Sequence, residues 1–145
     1  MSTKKATSSE KTSRIHIFTG PPGAGKLVHV ANSPYLRKLP IFCCYVKNKK
    51  HWEDSNAPEI ILFAYSAQKQ AKQYWLEQSL AAGRTPRLYL VDTPKNEAIP
   101  RMLSRPRNNR LLKEINHWYE HYTPHPDEEI IYVRYNSTVN REVYE

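Results

Sequence analysis

Arg14-Ile15-His16-Ile17-Phe18-Thr19-Gly20-Pro21-Pro22-Gly23-Ala24-Gly25-Lys26 is the stretch whose reading decides the fold. Arg14–Thr19 is a short apolar run of the kind that forms a buried strand. Gly20–Lys26 fits the first seven positions of the phosphate-loop pattern GxxxxGK[ST]. Lys26–Asn32 then reads as a short helix, stopped before Pro34. Strand, glycine-rich turn and helix in that order are the context the pattern needs. An ordinary Gly-Pro turn is the plainer alternative. Against it stands the placement of glycine: the chain of 145 residues has 4, and three of them are Gly20, Gly23 and Gly25.

The chemistry follows from geometry. Glycines allow successive backbone N–H groups to turn inward around phosphate oxygens, a following helix adds partial positive charge, and Lys26 supplies a full one. Pro21, Pro22 and Ala24 occupy the variable positions, and the two prolines stiffen the start of the loop. The eighth position departs from the pattern. Leu27 stands where Ser or Thr would place a hydroxyl on Mg²⁺, and leucine coordinates no cation. Either phosphates, water and a carboxylate elsewhere hold Mg²⁺, or turnover is weak or absent. Binding of a triphosphate survives this loss better than catalysis does.

Four further apolar runs read as strands: Pro40–Val46, Ile60–Tyr65, Leu88–Asp92 and Ile130–Tyr135. Several are continuously apolar, which suits strands covered on both faces of a parallel sheet. Ala67–Ala82 places Ala67, Ala71, Tyr74, Trp75 and Ala82 at helical spacing, with Ser66 positioned as cap and Gly83 as stop. Leu111–Tyr122 gathers Leu111, Leu112, Ile115, Trp118, Tyr119 and Tyr122 on one face before Pro124. Lys47–Pro58 reads as a charged loop. This rhythm predicts a three-layer α/β fold with right-handed crossovers. The Ser-, Thr- and Lys-rich residues 1–13 read as a disordered basic tail, residues 14–135 as one domain, and residues 136–145 as a C-terminal tail.

The net charge of +8 favours anionic partners such as nucleotides, nucleic acid or acidic protein surfaces. No apolar run has membrane-spanning length, so no membrane partner is expected, and the N-terminus lacks the apolar core of a signal peptide. Cys43 and Cys44 are adjacent, and neighbours on a strand point to opposite faces; they read as buried thiols in a reducing cytoplasm rather than a disulfide. The sequon at Asn136 then carries no weight, because glycosylation requires export.

Leu88-Tyr89-Leu90-Val91-Asp92 is an apolar strand ending in a carboxylate, the arrangement of a Walker B element, although such an aspartate also merely caps turns. Residues 101–110 hold four arginines, Arg101, Arg105, Arg107 and Arg110. Guanidinium groups bind phosphate oxygens in pairs of hydrogen bonds and neutralise charge on a transferred phosphoryl group. Pro106 would interrupt a helix there, so the segment reads as a lid over the nucleotide, with a solvated loop or a nucleic-acid patch as alternatives.

Taken together, GPPGAGK, the strand Ile60–Tyr65 with its Trp-containing helix, Leu90-Val91-Asp92-Thr93-Pro94, Arg101, Arg105-Pro106 and the Ile115, Trp118, Tyr119, Tyr122 spacing resemble small P-loop ATPases common in bacteriophages, related to nucleoside monophosphate kinases and polynucleotide 5′-kinases. The resemblance spans residues 14–133, with the loop as its one sharply specific motif. It implies a P-loop NTPase fold with a five-stranded parallel sheet of order 2-3-1-4-5. It further implies ATP held at Gly20–Lys26 and Leu27, and a kinase-like role for Lys26, Asp92, Arg101, Arg105 and Arg107. Such proteins carry Ser or Thr after the lysine and often an Asp near the end of the second strand. Here Leu27 and the basic run Lys47-Asn48-Lys49-Lys50 stand at those places, with Glu53 and Asp54 later. A catalytically degenerate module that uses nucleotide to regulate contact with nucleic acid or a host protein is the competing expectation. Either would work in the cytoplasm, that of the host if the source is viral.

His117-Trp118-Tyr119-Glu120-His121 matches the zinc pattern HxxEH but lacks an evident third ligand, so no residue is assigned to a metal. The aromatics read as packing against the sheet, with Trp52 beside Lys49-Lys50-His51 as the best place for base stacking.

Overall fold

The computed structural model describes residues 13–43, 52–103 and 108–132, and for 101–103 and 108–111 the backbone alone. In chain order they form β1 (Arg14–Thr19), α1 (Lys26–Ala31), a 3₁₀ turn (Leu36–Lys38), β2 (Ile41–Cys43) and a second 3₁₀ turn (Trp52–Asp54). Then come β3 (Glu59–Phe63), α2 (Lys69–Ala81), β4 (Thr85–Asp92), α3 (Lys95–Leu103), α4 (Asn108–His121) and β5 (Glu128–Tyr132). The strands make one parallel five-stranded sheet, β2-β3-β1-β4-β5, the expected order.

β1 lies in the middle and is buried from Ile15 to Thr19. Alternation sends Phe18 to one face, where it packs with Val30 of α1, Ile61, Phe63 and Val91. Ile15 and Ile17 go to the other, against Leu62, Leu88 and Leu76 of α2. Trp118 of α4 covers Leu90 on that second face. The connection from β1 to β2 runs one way along the sheet and carries its helix on the first face. The connections from β3 to β4 and from β4 to β5 run the other way and carry theirs on the second. One common handedness requires that opposition, and the result is three layers.

β4 starts earlier than its apolar run suggests, at Thr85, and includes Pro86. The Thr85 N–H donates toward β1, to Ser13 O at 2.9 Å, so Pro86 faces the opposite edge, where β5 pairs only from Leu88 onward. The missing N–H therefore costs no ladder bond. Likewise β5 begins at Glu128 rather than at Ile130. Of the expected strand Pro40–Val46, Ile41–Cys43 is strand; residues 44–46, residues 133–135 of the fifth expected strand, residues 1–12 and the whole of 136–145 lie outside the described residues. Trp52 is not a stacking platform: it is buried among Ile60, Leu62 and Leu76.

α2 differs most from its reading. It starts at Lys69, and Ser66 is not its cap but accepts from Trp75 Nε1 at 3.0 Å. The Lys69 N–H is capped instead by Thr123 Oγ1 at 2.6 Å, from the segment that follows α4. Its buried residues are Lys72, Leu76 and Ser79, and Tyr74 is exposed. Gly83, at φ 81, ends the helix as expected.

Lys72 has 0% exposure, which its company explains. Nζ lies 2.7 Å from Glu128 Oε1 and 3.0 Å from the Thr123 carbonyl, and 4.2 Å from the centre of the Tyr122 ring. The Tyr122 hydroxyl donates to the other Glu128 oxygen. Burial pushes the Lys72 ammonium down, and the Glu128 carboxylate opposes that shift without cancelling it. On the first face, His16 Nε2 donates to Glu59 Oε2 at 2.5 Å and the Tyr35 hydroxyl donates to Glu59 Oε1. Burial raises the Glu59 carboxyl, but these hydrogen bonds outweigh it and hold the group below its ordinary value.

Removing one member of the buried pair leaves the other charge without compensation. Lys72→Met should cost about 3–5 kcal/mol in urea unfolding, and adding Glu128→Leu should recover much of it. A double variant no more stable than the single would contradict this account. For Glu59 the folded value is depressed, so its contribution is complete above the ordinary value of 4.5 and is lost as pH falls through the lower folded value. Glu59→Gln should flatten the acid limb of the unfolding midpoint against pH, and an unchanged slope there would count against the tie.

Candidate phosphate-binding site

Gly20–Lys26 leaves the carboxyl end of β1 and turns into α1, so the candidate loop stands at the centre of the sheet's carboxyl edge. The connection after β1 runs toward β3 and β2, whereas that after β4 runs toward β5. Between those two strands the order reverses, which opens a crevice of the kind where open α/β sheets take their ligands.

Two glycines meet distinct demands. Gly20 passes so near β4 that a Cβ would stand 2.8 Å from the Val91 carbonyl oxygen. Gly25, at φ 101 and ψ 27, adopts the left-handed conformation directly before α1. Between them the Ala24 N–H donates to the Pro21 carbonyl at 3.1 Å, and Ala24 is buried. α1 spans 6 residues; Val30 packs it against the sheet, and Val28 is also buried. His29 on the same helix packs on the Phe18 ring at 5.6 Å, and burial lowers its pKa.

Lys26 turns back over the loop. Its Nζ donates to the Gly20 carbonyl at 2.9 Å and to that of Pro21 at 3.4 Å. The ammonium thus already lies inside the turn that the glycines create. Leu27 points outward with 51% exposure, so the position offers neither a hydroxyl nor a buried contact.

Asp92 ends β4 two residues beyond the level where Leu90 pairs with Thr19, at the same carboxyl edge. Strand alternation puts it on the face of Leu88 and Leu90, where its charge helps raise the Tyr122 phenol, after burial and Glu128. The residue that reaches the loop is its neighbour. Thr93 is buried, and its Oγ1 donates to the Ala24 carbonyl at 2.8 Å. The sequence reading quotes Thr93 only as a part of the segment after β4 and gives it no role; the expected order sets β4 beside β1, but the hydrogen bond to Ala24 depends on the path of the loop.

Arg101 does not lie in an open loop. It belongs to α3, a helix that the reading missed and that contains Pro100. Pro100 withholds the N–H that would reach the Asn96 carbonyl, yet the helix continues to Leu103. Ala98 and Ile99 pack it on Ile115 and Tyr119 of α4, so the backbone that carries Arg101 is braced from behind. Arg105 and Arg107 lie outside the described residues. In α4, Ile115 and Trp118 face inward as the spacing predicts, and His117 and His121 stack on each other at 4.1 Å on the exposed side. Tyr65 donates to the Glu114 carbonyl at 2.6 Å, and burial pushes its phenol up to about 12.

As built, this edge brings together the glycine-rich turn and the Lys26 ammonium, with Asp92 at the same carboxyl edge of the sheet. Gly20→Ala should cost about 1–3 kcal/mol of stability, because the Val91 peptide has to give way. A midpoint equal to that of the unmodified chain would rule out the close approach. No protein-family model matches the chain, and no curated protein matches it in sequence.

Proposed function

We propose that Gly20–Lys26 is a phosphate loop that binds a nucleoside triphosphate, and that the protein is a kinase-like P-loop NTPase. One observation carries the reading. The GxxxxGK segment lies between the central strand and a helix, at the reversal of strand order, with the Lys26 ammonium folded into the turn. Loop amides and Lys26 would hold the β- and γ-phosphates. Asp92, at the same edge, would orient Mg²⁺ through water, since Leu27 has no oxygen to give. Arg101, Arg105 and Arg107 would neutralise charge on the transferred group. ATP is the nucleotide that the likeness to phage P-loop ATPases suggests, and a nucleotide, a polynucleotide end or a small molecule would accept the phosphoryl group, or water would in slow hydrolysis.

A second reading has an observation of its own. Leu27 is exposed and carries no metal ligand, which favours a module that binds nucleotide without turning it over and uses the bound state to regulate contact with nucleic acid or a host protein. The two readings diverge on one substitution. Leu27→Ser restores the hydroxyl; a dormant kinase gains Mg²⁺-dependent turnover, and a binding module does not.

Calorimetric titration with ATP, GTP and ADP, with and without Mg²⁺, tests the shared core. Binding of ATP is expected in both conditions, with little gain from the metal. Lys26→Ala should weaken it about tenfold to a hundredfold, the loss of charge-assisted hydrogen bonds. If none of the three nucleotides binds, the proposal fails.

A further inference from the structure

Thr93 has 0% exposure and two hydrogen bonds that run to different elements. Its Oγ1 donates to the Ala24 carbonyl at 2.8 Å, and its own carbonyl accepts from the Tyr119 hydroxyl of α4. Tyr119 in turn packs against the buried cluster of Ala98 in α3 and Ile115 in α4. The hydroxyl that touches the loop is therefore fixed from behind by the helical layer.

The consequence lies in the peptide that joins Ala24 to Gly25. A trans peptide is planar, and its C=O and N–H point in opposite directions. With the Ala24 carbonyl held on β4 by Thr93, the N–H of Gly25 is turned away from β4. Gly25 adopts positive and negative φ with similar ease, so its own conformation does little to prevent that peptide from rotating. A buried threonine hydroxyl is a directional restraint on it.

We infer that Thr93 is a positioning residue of the phosphate site: its hydroxyl sets the rotation of the Ala24–Gly25 peptide and so aims the Gly25 N–H at a phosphate oxygen. The inference rests on the phosphate-binding reading of Gly20–Lys26. It extends that reading by coupling one loop donor to α4 and α3, the layer that carries Arg101.

Inorganic pyrophosphate, free of Mg²⁺, is the direct probe, with ATP beside it. Thr93→Val keeps the branched shape and removes the donor; Thr93→Ser keeps the donor. Calorimetry should find pyrophosphate about tenfold weaker with Thr93→Val and within about twofold with Thr93→Ser, the scale of one buried hydrogen bond. In amide spectra of the bound form, the pyrophosphate-induced shift of the Gly25 N–H should shrink in Thr93→Val and return in Thr93→Ser. A purely structural threonine gives another pattern, a lowered unfolding midpoint with unchanged affinity and an unchanged Gly25 shift, and that overturns the inference alone. An unmodified chain that binds neither pyrophosphate nor ATP overturns the phosphate reading and this inference with it. Should Thr93→Val fail to fold, Thr93→Cys against Thr93→Ser makes the same comparison, since the two differ only in a weak thiol donor replacing a hydroxyl.

Discussion

At the carboxyl end of β1 the chain must leave the sheet without parting from β4. It does so by laying the Gly20 backbone against the Val91 carbonyl, with no space for a side chain between them. Much of the upper edge depends on that approach. It lets the loop rise directly from the central strand, brings Ala24 within reach of Thr93, and seats α1 over Phe18, Ile61 and Phe63. A wider gap would lose the Thr93 contact first, since a hydrogen bond falls away within a few tenths of an ångström while apolar packing slackens more gradually.

The opposite layer adds polar ties to its apolar packing. α2 offers Leu76 to the core, but its other deeply buried members are Lys72 and Ser79. Lys72, Glu128, Tyr122 and Thr123 bring α2, β5 and the segment that follows α4 to one point, and Thr123 also caps α2. A buried ion pair adds little net stability over an apolar equivalent, but it penalises other arrangements severely. Here that penalty locks β5 to α2, which shares no strand pairing with it.

This contrast explains what could be read in advance. Continuous apolar runs and a glycine cluster are local signals, so β1, β3, the loop and the inward faces of Ile115 and Trp118 were legible before any coordinates. The parallel five-stranded order was also anticipated, through the family likeness. Features that depend on distant partners were not. Lys72 on a helix reads as a solvent-facing residue until Glu128, 56 positions away, supplies its counter-charge. Ser66 reads as a helix cap because its role toward Trp75 is not written beside it. Trp52 is buried in the core, as the reading of the aromatics as packing against the sheet expects, despite its charged neighbours in sequence. α3 was not among the expected helices; it runs through Pro100, where packing of Ala98 against α4 holds it despite the withheld N–H. At the candidate site the same division holds: Lys26 was legible from its motif, and Thr93, which touches the loop from 69 residues away, was not.

The hold of Lys26 on the Gly20 and Pro21 carbonyls has a consequence for selectivity. On the proposed phosphate-binding reading, an anion arriving at the loop would find the ammonium already engaged, so binding would be an exchange in which existing partners are surrendered before new ones are made. Chloride or a monoanionic carboxylate would bring little charge to that exchange. A phosphate chain, with several oxygens and more than one negative charge, would bring more. The loop's own carbonyls would then act as internal competitors and set a threshold of charge for any ligand of the proposed site.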